Sequence, residues 1–167
     1  LSSYTIYDQL LLVHEMGTGK TCSAVGAIEQ IREEHYGFTG ALYLARGESL
    51  INNFINELIF KCTDGRYIPE DYHGLTALEK VHRKKKAIRD YYMMNTFETF
   101  AKEIRVTNSA ELKRKYSNKI IVIDEVHNLR MQATEKTLNI YNQFLRFLHE
   151  VEDCKILLLS GTPMYNS

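Results

Sequence analysis

Apolar residues in this chain gather in short, almost unbroken runs, separated by longer stretches in which they recur every three or four positions. Leu10 to Val13, Ala41 to Ala45, Ile120 to Ile123 and Ile156 to Leu159 are runs of the first kind. Such runs predict strands buried on both faces, as parallel strands covered by helices are. A fifth, weaker strand is predicted around Met93 to Thr96. Between the runs, Ala24, Ala27, Ile28 and Ile31 predict a helix over Lys20 to His35. Leu50, Phe54, Leu58 and Ile59 predict another over Ser49 to Phe60, with Ser49 as its N-cap. Cys62 to His73, which contains Asp64-Gly65 and Pro69, predicts a loop. Leu75 to Tyr91 predicts a charged helix, and Thr134 to Glu150 an amphipathic one. The alternation predicts an α/β fold in three layers, a mainly parallel sheet with helices on both faces.

Length and composition narrow this picture. The 167 residues suit one domain, and 44% hydrophobic with 25% charged residues is ordinary globular composition. Twenty-one Lys and Arg balance twenty-one Asp and Glu, so a nucleic-acid contact would have to come from a local patch. One candidate is Lys80 to Arg89, with cations at Lys80, Arg83, Lys84, Lys85, Lys86 and Arg89; such a run is more often a solvated helix face or a contact to another protein. Cys22, Cys62 and Cys154 form no CxxC pair and predict reduced thiols, in a cytoplasmic or nuclear type of compartment. The six histidines show no zinc-ligand spacing. No apolar run approaches the ~20 residues of a membrane span. The abrupt opening at Leu1 predicts that residues 1–167 are one domain of a longer protein.

The chemistry concentrates in three segments. In LLLVHEMGTGKTCSAVGAIEQI a strand runs through Met16-Gly17-Thr18-Gly19-Lys20-Thr21-Cys22 directly into a helix. Glycines let the backbone approach phosphates, N–H groups and a helix N-terminus bind the anion, Lys20 meets the β/γ oxygens, and the Thr21 hydroxyl suits Mg²⁺. In KIIVIDEVHNL, Asp124 and Glu125 end a buried strand; Asp124 suits Mg²⁺ and Glu125 suits activating a water, although strand-end carboxylates serve equally as N-caps. In CKILLLSGTPMYN a strand leads into Ser160-Gly161-Thr162-Pro163, by itself a turn. In this order the three predict a P-loop site for ATP and Mg²⁺, with Lys20 and Glu125 as its catalytic pair.

The trio resembles the first RecA-like domain of superfamily 2 helicases and translocases: GTGKT is similar to motif I, DEVH to motif II and SGTP to motif III. ALYLARGESLINNF resembles motif Ia, and Asn95 to Phe100 resembles motif Ib. The wording of HEMGTGKT, LINNFINEL, TFETF and LLLSGTPMYN is most similar to transcription-associated ATPase/helicases of large nucleocytoplasmic DNA viruses, and also near Swi/Snf-type ATPases. The resemblance implies a virion or host-cytoplasm setting, a nucleic-acid partner (DNA before RNA), a second RecA-like domain in the same protein, and an association with transcription machinery. It implies that the strand before Ser160 lies between those of motifs I and II, and that His127, Ser160 and Thr162 couple nucleotide state to the nucleic-acid side. It assigns the phosphate-backbone contacts to Arg46, Gly47 and Thr96. Two departures stand out: His14 replaces the small residue of the strict P-loop expression, and no adenine-reading motif is recognisable in Leu1 to Gln9. A second reading stays open, a P-loop ATPase that remodels proteins without nucleic acid.

Overall fold

The computed structural model describes residues 9–14, 19–34, 37–125 and 134–160. Five strands and six helices follow one another as β1 (Gln9–His14), α1 (Gly19–Glu34), β2 (Gly40–Ala45), α2 (Glu48–Phe60), α3 (Ala77–Ile88), β3 (Tyr92–Thr96), α4 (Phe97–Val106), α5 (Ser109–Tyr116), β4 (Lys119–Asp124), α6 (Glu135–Glu150) and β5 (Lys155–Ser160). The strands form a single sheet in the order β1-β5-β4-β2-β3, and all four pairings are parallel. The expected place for the strand that ends at Ser160, between the strands of motifs I and II, is the one observed.

Alternation along each strand explains the unbroken apolar runs. Ala41, Tyr43 and Ala45 of β2, Ile120 and Val122 of β4, and Leu157 and Leu159 of β5 pack with α1 and α2 on one face. Leu42, Leu44, Ile121, Ile123 and Ile156 pack with α4, α5 and α6 on the other. The middles of β2, β4 and β5 are thus apolar at successive positions because both faces are covered. Gly40 opens β2 where a Cβ would meet the Tyr91 carbonyl oxygen at 2.9 Å, so the approach of β3 admits only glycine without a backbone shift.

Three expectations need correction, and a fourth, the loop over 62–73, holds except at its end. The α2 N-cap is Gly47 in place of Ser49, and no side chain caps it. The segment 62–73 is a loop that tightens into a 3-10 turn at Tyr72–Gly74. Residues 97–116, for which the sequence predicted no helix, form α4 and α5. Thr96 accepts a hydrogen bond from the Thr99 N–H and Asn108 one from the Glu111 N–H, and Arg146 of α6 donates to the carbonyls of Ile104 and Thr107 at the end of α4. Cys22 and Cys62, expected as free thiols, are joined by a disulfide across Cα atoms 5.0 Å apart, which pins the first turn of α1 to the end of α2. Cys154 is buried, and its thiol donates to the Tyr116 carbonyl.

Candidate active site

The carboxyl ends of all five strands lie along one edge of the sheet. The register pairs His14 with Ser160, Leu159 with Asp124, Leu44 with Ile123 and Ala45 with Thr96. One edge therefore presents, in spatial order, the end of β1 at His14, Ser160, Asp124 with Glu125, Arg46 and Thr96. This is where ligands of open α/β sheets bind.

Gly19, Lys20 and Thr21 form the first turn of α1, whose N–H groups have no acceptor within the helix. The Lys20 ammonium lies 3.0 Å from Asp124 Oδ1 and donates a hydrogen bond to Glu125 Oε1. Residues more than a hundred positions apart are thus joined by their charges. Burial pulls the Lys20 pKa down, but the hydrogen bonds and charges of Glu125 and Asp124 outweigh it and hold the ammonium above its usual range. The carboxylate of Asp124 is only 5% exposed. Its Oδ2 accepts a hydrogen bond from the Tyr43 hydroxyl, and Oδ1 is paired with the Lys20 ammonium. An N–H or O–H bond to a buried charged group contributes about 1.5–3 kcal/mol, so the Tyr43 contact fixes the orientation of Asp124. Burial first, then the Asp124 charge, drives the Tyr43 phenol far above its ordinary pKa, and it remains a proton donor at any physiological pH.

Glu125 has φ 50. The other described non-glycine residues at positive φ are Asp64, Asp71, Asn118 and Asp153, all of types that tolerate the left-handed region. A glutamate there is strained, and strain of this kind concentrates at functional sites.

A family model described as "Type III restriction enzyme, res subunit" (ResIII) matches residues 6–165. The chain is a ResIII helicase domain of superfamily 2. It is similar to helicase 009L of Frog virus 3 (isolate Goorha), 44% identical over 99% of this chain and 17% of that protein. It is similar to helicase 087L of Invertebrate iridescent virus 3, 38% identical over 98% of this chain and 17% of that protein. It is also similar to ATP-dependent DNA helicase DDM1 of Arabidopsis thaliana, 26% identical over 94% of this chain and 19% of that protein. The helicase domain therefore spans about a fifth or less of the length of these relatives.

Within this helicase domain the structure joins Lys20, Asp124 and Glu125, and it places Thr21, buried, beside Lys20 on α1. The Cys22 side chain is committed to Cys62, so any contact it makes to a nucleotide passes through its backbone. Ser160 is fully buried at the end of β5. Arg46 is exposed, and the Thr96 hydroxyl is occupied as the α4 cap. Met16, Gly17, Thr18, His127 and Thr162 lie outside the described residues. Tyr43 is the functional residue that sequence reasoning missed. Its signal was a phenol in the middle of a strand otherwise apolar on both sides, where a buried hydroxyl requires a partner.

Proposed function

We propose that this domain is the first, ATP-binding RecA-like half of a longer nucleic-acid translocase, in which ATP and magnesium bind at the turn into α1 and nucleic acid runs along the same sheet edge beside Arg46, Gly47 and Thr96. The observation that carries this is the Lys20 ammonium held between Asp124 and Glu125 at the start of a helix. A lysine so placed can exchange its carboxylate partners for phosphate oxygens. Asp124 Oδ1, buried and paired with an ammonium that phosphate can draw away, fits a divalent cation, and Thr21 is the second donor of this chain. Among the described residues no three His, Cys, Asp or Glu side chains gather into a metal site. That suits magnesium, which takes few protein ligands and completes its shell from phosphates and water. When bound, the ion would supply positive charge to the developing phosphate charge; Lys20 binds and orients the phosphates, and Glu125 takes the proton of the attacking water.

Gly47 supports the nucleic-acid side, because a helix that begins without a side-chain cap leaves its N–H groups available to a phosphate. DNA is our first choice of partner. One relative is named a DNA helicase, and another, in Heliothis virescens ascovirus 3e, an ATP-dependent RNA helicase. The test is the ATPase rate of the complete protein carrying this domain, with and without single- and double-stranded DNA and RNA. Stimulation by nucleic acid is expected, largest with DNA. A rate indifferent to all four ligands would favour the protein-remodelling reading.

A further inference from the structure

No role is assigned to Tyr43 by the sequence motifs, yet it holds the carboxylate on which the site turns. In the β2–β4 pairing Tyr43 stands opposite Val122, two residues short of Asp124. Two residues of strand advance about 6.6 Å. That is close to the reach of a tyrosine ring and hydroxyl, and side chains two apart share a face of the sheet. Tyr43 and Val122 both lie in the cluster beneath α1 and α2, so the phenol arrives at Asp124 from below, on the side from which Lys20 also approaches. The ring is stacked on Phe54 of α2, with centroids 3.9 Å apart and planes inclined by 18°, and Tyr43 is 1% exposed. Neither ring nor hydroxyl has another place to go. One Asp124 oxygen is thereby taken by the phenol and the other is turned toward Lys20.

We propose that Tyr43 is a positioning residue of the ATPase site: by occupying Asp124 Oδ2 it presents Oδ1 to the metal position, with its own seat fixed by Phe54. The proposal rests on the reading of Asp124 as the carboxylate beside magnesium. Without the hydroxyl, Asp124 can rotate onto Lys20 with both oxygens, and the ion must compete with the ammonium for them. Loss of the hydroxyl should therefore weaken metal-dependent binding and leave metal-free binding as it was. A loosened core would weaken both.

The experiment uses Tyr43→Phe in the complete protein, a change that keeps the ring on Phe54. Binding of a fluorescent ATP analogue is followed as magnesium is titrated, and again in EDTA, with the thermal midpoint measured in parallel. The magnesium concentration at half-saturation should rise roughly tenfold, about what one hydrogen bond to a charged group supplies at the low end, while affinity in EDTA is unchanged. A variant that follows the wild-type magnesium curve overturns the proposal, as does an equal loss of affinity with and without magnesium. Wild-type binding that ignores magnesium would overturn the metal reading of Asp124 itself, a result distinct from the other two.

Discussion

A glutamate held at φ 50 costs about 1–2 kcal/mol relative to the right-handed region, and the hydrogen bond from Lys20 is one of the interactions that holds it there. The conformation turns the Glu125 side chain back over the end of β4, toward α1. If its role is to accept the proton of the attacking water, Glu125→Gln preserves shape and the approach to Lys20 while removing basicity. Nucleotide affinity of the complete protein should stay within a factor of a few, and turnover should fall by about two orders of magnitude or more. Equal losses in binding and turnover, measured by titration and steady-state kinetics, would make Glu125 a structural partner of Lys20 instead. Lys20, Asp124 and Glu125 were legible from sequence because their chemistry demands fixed residue types beside a strand end or a helix start. The left-handed turn at Glu125 was not, since it depends on what lies across the sheet.

Among the elements, α3 and the α1–α2 link carry the consequences. Lys80 lies 5.1 Å from the centre of the Tyr72 ring and Lys84 donates to Asn56 at 2.8 Å, so two of the six cations of the basic helix are spent on packing. Arg83, Lys85, Lys86 and Arg89 are exposed, and Lys85 and Arg89 line a cavity of 240 Å³ against Glu48, Tyr92 and Met94. Replacing these four with Gln should make the slope of log affinity for nucleic acid against log salt shallower by roughly 0.7–0.9 for each phosphate the helix neutralises. The expected change is about one phosphate's worth on that scale. An unchanged slope would make the helix a solvated face or a protein docking surface. The Cys22–Cys62 bond closes a separation of 40 residues. Loop-closure entropy sets its contribution near 4 kcal/mol, with delivered values of about 2–4. Cys62→Ser should lower the free energy of urea unfolding by that amount, and dithiothreitol should erase the difference. Equal stability before reduction would show the pair unbonded in solution. Strands β2, β4 and β5 were legible because two covered faces leave a continuous apolar record, whereas β3, half-buried, left a weaker one. Helices α4 and α5 were not, because Phe97, Phe100 and Ile104 sit in a short segment whose likeness to motif Ib speaks for a ligand contact and says nothing of a helix. The disulfide left no signal, for the pair is brought together only by the slant of α2 toward α1.

At the scale of the whole molecule, the sheet order sets a timetable. Among the described strands β1 pairs only with β5, the last to be synthesised. Every residue proposed to hold the nucleotide precedes position 126, yet β1 cannot take its place in the sheet until Lys155–Ser160 has slid between β1 and β4. At about 5–20 residues per second, the emerging chain spends on the order of ten seconds before β1 meets the strand it pairs with. The domain is then committed to closing its sheet from a long-range pairing, a slow class of folding event. Ribosome-bound chains stalled with residues 1–154 outside the exit tunnel should fail to retain a fluorescent ATP analogue, whereas chains exposing 1–167 should retain it. Equal retention would mean that β1 finds its place without β5. A cell making this protein would thus carry, for each chain, an interval in which all the ligands of the site exist and the site does not.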